Sequence, residues 1–182
     1  MTKKLESKVP VGGRVLTIGQ QTRIDPVVLD LSRLAVGMRE ELRRLLRADI
    51  RLDVSLLANG RCLVSADPHQ MRDLILHLVL DARDAMPDGG SLSITVEQRR
   101  ISEVGGLYPE AHGDYVTVTV RDRPVRPVAQ VSEKMDLRVV KGRGLSLAAS
   151  YDAIKRCGGH IGVSRRAGET LVRIFLPCLA SS

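Results

Sequence analysis

One stretch limits what this chain can fold into more than any other: ADPHQMRDLILHLVLDARDAMPDGG, from Ala66 to Gly90. Met71, Leu74, Ile75, Leu78, Val79, Ala82, Ala85 and Met86 recur at three- and four-residue steps, which predicts one helix over Asp67 to Met86 with an apolar stripe. Its ends are signposted. Asp67 suits an N-cap, Pro68 the first helical position, and Gln70 the place of a capping-box partner, while Pro87 and Asp88-Gly89-Gly90 stop the helix. A stripe this long needs a second layer to cover it.

A polar flank runs beside the stripe. Gln70, His77, Asp81, Asp84 and Asp88 fall at helical steps at the edge of the buried face, where a core helix can line a cleft without burying charge. On spacing alone such a flank is more often the solvated edge of an ordinary amphipathic helix. His77 and Asp81 have i, i+4 geometry for a metal, but no further His or Cys cluster supports such a site.

The strands to cover the stripe are present. Ile50 to Leu56 alternates apolar with polar residues, Ala58-Asn59-Gly60 suggests a turn, and Cys62 to Ser65 reads as the returning strand of a hairpin. Leu92, Ile94 and Val96 alternate again, as does YVTVTV from Tyr115 to Val120. Ile161 to Ser164 and Thr170 to Leu176 close the chain as two more strands. A helix is expected from Asp30, with Leu34, Met38, Leu42, Leu45 and Leu46 on one face, and another after Gly142 and Gly144, ending at Gly158-Gly159. Between Arg121 and Lys141 the pattern predicts a loop or lid, with a turn of helix near Val128 to Met135. Residues 1–28 read as tail and linker, with a short extended piece at Arg14 to Ile18, and 29–182 as one domain. The expected fold is α+β, a two-layer sandwich with helices on one face of a mixed, mostly antiparallel sheet.

Composition narrows the function classes. A net charge of +7 favours anionic partners, but with three Tyr, one Phe and no Trp the chain has almost no stacking platform, which disfavours a nucleic-acid binder. Cys62, Cys157 and Cys178 lack CxxC spacing, which argues against a disulfide framework and a zinc site and predicts a reducing, cytoplasmic setting. No apolar run suggests a signal peptide or a membrane span. At Lys141-Gly142-Arg143-Gly144 a glycine-rich helix start carries two cations, a combination that can approach phosphate, although a GxG before a helix is more often a plain turn.

DPHQMRDLILHLVLDARDAMPDGGSLSITV, then YVTVTVRD, then GRGLSLAASYDAIKRCGGHIGVSRRAGETLVRIFLP resemble the catalytic ATP-binding domain of sensor histidine kinases, a Bergerat or GHKL fold shared with gyrase and MutL. The likeness runs from about Leu29 to Pro177. It implies ATP and Mg²⁺ as cofactors, held between helices and under a lid. By this resemblance Asp81 stands where the family has its metal-holding asparagine, and His77, one turn earlier, is the catalytic candidate. Asp122 matches the aspartate that receives the adenine amino group. Gly142 and Gly144 match the second glycine box, with Lys141 and Arg143 beside it as further nucleotide-binding candidates.

The departures from the pattern matter as much. After Asp122 the family has a glycine-rich DxGxG turn, but here Arg123, Pro124, Val125 and Arg126 follow. Only glycine lets backbone pass close to a nucleotide at unusual dihedrals, and proline also lacks an N–H donor. Ser146 replaces a glycine of the usual GLGL run, and no Phe lies between Val131 and Val140. Aspartate at position 81 can ligate Mg²⁺, but near a triphosphate it costs roughly 3 kcal/mol at ~6 Å and an effective dielectric of ~20 if no cation intervenes. The first histidine is His69, inside the ATP-type domain, so no self-phosphorylation site is visible. Three functions follow. The leading one is an ATP-binding domain with an eroded pocket, weak or inactive as an enzyme, binding nucleotide weakly or using no cofactor. It would serve as a regulatory or docking module for a two-component partner, a kinase hairpin or a response regulator. The second is a Mg-ATP-dependent kinase domain acting on a histidine of another chain, and the third is a basic nucleic-acid binder.

Overall fold

The computed structural model describes residues 26–57, 61–101, 113–126, 133–135, 145–166 and 168–179. In chain order the elements are β1 (Val27–Asp30), α1 (Leu31–Gly37), α2 (Arg39–Leu45), β2 (Ile50–Leu56), β3 (Leu63–Ala66), α3 (Pro68–Asp84), β4 (Gly90–Ile101), β5 (Gly113–Pro124), β6 (Glu133–Met135), α4 (Leu145–Arg156), β7 (His160–Arg166) and β8 (Glu169–Pro177). Six strands form one sheet in the order β2-β4-β5-β8-β7-β6, in which β2 and β4 are parallel and the other neighbours antiparallel. The helices pack on its inner face: α3 against α4 and β5, α4 against β7, and α1 against β2 and β4. The expected α+β sandwich is the observed one.

The α3 stripe anchors the core. Met71, Leu74, Ile75, Leu78, Val79, Ala82 and Met86 are buried, and each large side chain of this kind contributes about 1.5–3 kcal/mol relative to exposure. Ala85, counted in the stripe by spacing, is exposed instead because it is the C-cap, where the helix has already stopped. On the helix side of the sheet Leu92, Ile94 and Val96 of β4, Val116, Val118 and Val120 of β5, Ile161 and Val163 of β7, and Ile174 and Leu176 of β8 are buried.

Three local expectations are corrected. Ile50 to Leu56 and Cys62 to Ser65 do not form a hairpin. β2 pairs in parallel with β4, while β3 pairs antiparallel with β1 in a separate two-stranded sheet. Parallel neighbours need a crossover connection, and here β3 and α3 supply it. The helix from Asp30 is two helices: Asp30 caps α1 by accepting from the Ser32 and Arg33 amides, and the run breaks at Gly37-Met38, where glycine weakens the helix interior. Of the helical turn expected near Val128 to Met135, the described part, Glu133–Met135, is instead β6, paired with β7. Its beginning and the extended piece at Arg14 to Ile18 lie outside the described residues.

Candidate functional site

The helix that carries His77 and Asp81 is fixed at both ends. Asp67 is buried as N-cap and accepts from the His69 amide at 2.8 Å and the Gln70 amide at 3.3 Å, so the first orphan donors are satisfied. Gln70 does not complete a capping box. Its Oε1 instead lies 3.5 Å from Arg156 Nη2, a long bond that links α3 to α4. At the other end Arg47 donates to the carbonyls of Met86 at 2.6 Å and Pro87 at 2.9 Å, and its guanidinium meets both Asp49 oxygens at 3.1 Å. That guanidinium also holds the Asp49 carboxyl below the ordinary carboxylate range. Gly89 takes a left-handed φ of 84° here, and a side chain at Gly90 would meet the Arg123 carbonyl oxygen at 2.5 Å. Glycine is required on both counts.

His77 and Asp81 lie exposed on α3, one helical turn apart. Asp122 differs sharply. It sits on β5 among the inward-facing residues, only 6% exposed, and its Oδ1 accepts from the Thr170 amide at 3.0 Å. Burial pushes its carboxyl above the ordinary 3.8, against the opposing pull of the Thr170 amide and hydroxyl and of the Arg165 charge. Register explains the grouping, since Asp122 lies opposite Thr170 on β8, and Thr170 opposite Arg165 on β7. Sequence reasoning missed Thr170 and Arg165. The signal was the inward parity that Thr170 shares with Ile174 and Arg165 with Val163, once the strands are aligned.

A buried carboxylate with hydrogen-bonding capacity is suited to receive an amino group such as that of adenine. The backbone that follows stays in the sheet. β5 continues past Asp122 in ladder register, with Arg123 opposite Ser91 and Pro124 opposite Gly90, and the Val125 amide then bonds the Gly89 carbonyl at 3.1 Å. No glycine turn leaves the sheet at this point. Among the described residues no three His, Cys, Asp or Glu side chains cluster to hold a metal, so an ion at Asp81 would need phosphate oxygens as co-ligands, as Mg²⁺ commonly does. Lys141, Gly142, Arg143 and Gly144 lie outside the described residues, as does His112. α4 begins directly after Gly144. Among the described residues no helix is long and apolar enough to cross a membrane.

Comparison with known proteins agrees with this architecture. Sensor kinase CckA of Brucella abortus is 34% identical over 179 residues, covering 91% of this chain and 18% of the relative. Sporulation kinase C of Bacillus subtilis is 21% identical over 136 residues, covering 74% of this chain and 30% of the relative. The chain therefore spans less than a third of the length of either kinase. Among solved structures, the catalytic domain of histidine kinase ThkA superposes with a TM-score of 0.59 at 19% identity, covering 86% of this chain and 99% of that one. The model of the histidine kinase-, DNA gyrase B- and HSP90-like ATPases matches residues 66–180, from the end of β3 to just beyond β8, and the chain belongs to that family.

Proposed function

We propose that this is a histidine-kinase-type ATP-binding domain whose nucleotide pocket is eroded, and that it works as a regulatory or docking module of a cytoplasmic two-component pathway. One observation carries the reading: β5 runs on through Arg123 and Pro124, paired with β4, where a nucleotide-binding relative needs a glycine turn. A strand held in a ladder cannot also wrap a nucleotide, and proline offers it no N–H. Each backbone bond lost to the ligand removes about 1 kcal/mol. Asp81, in the position of a neutral metal-holding residue, adds like-charge repulsion toward a triphosphate unless Mg²⁺ intervenes.

The second reading is a Mg-ATP-dependent kinase domain acting on a histidine of another chain. It is favoured by the buried Asp122 with its Thr170 bond, which an abandoned base site would have little reason to keep. There Asp81 would hold the metal, Lys141 to Gly144 the phosphates, and His77 would stand near the transferred group.

Calorimetric titration of ATP, with and without Mg²⁺, separates the two. The parent is expected to bind more weakly than about 1 mM. A Pro124→Gly, Arg126→Gly, Asp81→Asn variant is expected to gain affinity, and adding Asp122→Ala to abolish the gain. Micromolar binding by the parent would overturn the eroded-pocket reading in favour of the kinase.

A further inference from the structure

The outer face of the sheet, opposite the helices, carries an arginine field that the nucleotide reading does not use. Three consecutive cross-strand rows can be followed by register. Arg51, Ser91 and Arg123 form the first, which Glu169 and Arg166 continue. Asp53, Ser93 and Arg121 lie in the second, and Ser55, Thr95, Thr119 and Arg173 in the third. Neighbouring strands are about 4.8 Å apart, so these charges form one surface. Arg51, Asp53, Arg121 and Arg123 are exposed and border an open groove of ≈ 240 Å³ floored by Ser91 and Ser93. Arg123 is paired with Glu169 at 2.6 Å. Among the described residues Arg51, Arg121, Arg166 and Arg173 have no ion pair, and Asp53 is the one carboxylate left to face them.

We infer that this face docks the acidic surface of an unlike partner protein. The groove is open to solvent rather than enclosed, which suits a broad protein surface better than a small molecule. A second copy would present the same excess of arginine. The N-terminal stretch is repelled as well, because Lys3, Lys4, Lys8, Arg14 and Arg23 outnumber Glu6 and Asp25. Nucleic acid fits less well. Asp53 and Glu169 interrupt the positive field, and these rows hold no aromatic ring on which a base could stack. Carboxylates set among arginines instead impose register on a partner of mixed but mainly negative charge.

The test uses the full chain and two probes, a poly-glutamate peptide of about 20 residues and a DNA duplex of about 20 base pairs, titrated at low and at physiological salt. Two charge-reversed variants are compared with the parent: Arg51→Glu with Arg121→Glu on the outer face, and Arg33→Glu with Arg44→Glu on exposed helix positions. All four residues are solvent-facing, so thermal midpoints close to the parent's are expected for both variants. The peptide is expected to bind the parent more tightly than the duplex does, and the outer-face variant to lose about tenfold more affinity for it than the helix variant. Equal losses in the two variants would reduce the effect to overall charge and overturn the proposal. Tighter binding of the duplex through Arg51 and Arg121 would replace the protein partner with nucleic acid, and no peptide binding at low salt would remove the docking face.

Discussion

The two faces of the sheet are built from the same strands and obey opposite rules. On the inner face Ile94, Val118 and Ile174 are at most 3% exposed under α3 and α4, and a buried carboxylate of that face, Asp122, accepts from the Thr170 amide. On the outer face the interleaved positions are mostly Ser, Thr and Arg, with Asp53, Glu97 and Glu169 among them, and two rings, Tyr115 and Phe175, meet edge-to-face at 6.5 Å toward the far end. A period of two places both sets on one strand without conflict. An exception on either face therefore calls for a reason. Asp122, with Thr170 and Arg165 in register beside it, is the inner exception, and its burial pushes its carboxyl above the ordinary range.

The largest effects should come from the inner face. Leu78→Ala in α3 and Ile94→Ala in β4, both fully packed, are expected to destabilise by about 2–5 kcal/mol each, read as a shift in denaturation midpoint. Unchanged midpoints would mean that the helix stripe and the sheet do not form one core.

Asp122→Asn comes next and acts in the opposite direction. Because the folded carboxyl has a raised pKa, the stability linked to it is fully present below the unfolded value of 3.8 and is lost as pH rises through the folded value. Asparagine can still accept from the Thr170 amide and does not ionise. The variant should thus be more stable than the parent at pH 7, with the gap closing as pH falls toward 3.8. A gap that does not change between pH 4 and pH 7 would show that the ionised carboxylate carries no penalty in the fold.

The smallest effect sharpens the contrast between faces. Thr95→Ala, one residue along the strand from Ile94 but on the outer face, removes only a hydroxyl contact with Ser55 at 3.3 Å. Its expected cost is about 0.2–1 kcal/mol, and a loss as large as that of Ile94→Ala would mean that the outer face is covered in solution.

The candidate site was partly legible for the same reason as the faces. Asp67 and Pro68 announce the start of α3, its apolar spacing fixes which side is buried, and Asp81 and His77 then fall on the flank by helical geometry alone. Asp122 was named only through the family resemblance, and it is the register that sets it on the side of Val118 and Val120 at the end of β5. Thr170 and Arg165 could not be read this way. They lie far from Asp122 in the chain and reach it only through the register of β5, β8 and β7.

Local pattern by itself determined the elements and their buried sides, because caps, turns and periodicity act over a few residues and need no distant partner. Which elements become neighbours was decided only in three dimensions. Ala58-Asn59-Gly60 looked like a hairpin turn, but β3 pairs with β1 and α3 crosses over so that β2 lies parallel to β4. Strand pairing depends on which exposed edges the packed helices leave within reach. Short alternating segments such as Ile50 to Leu56 carry no label for their partner. The ladder that holds Arg123 and Pro124 against β4, and with them the arginine rows of the outer face, belongs to that tertiary choice.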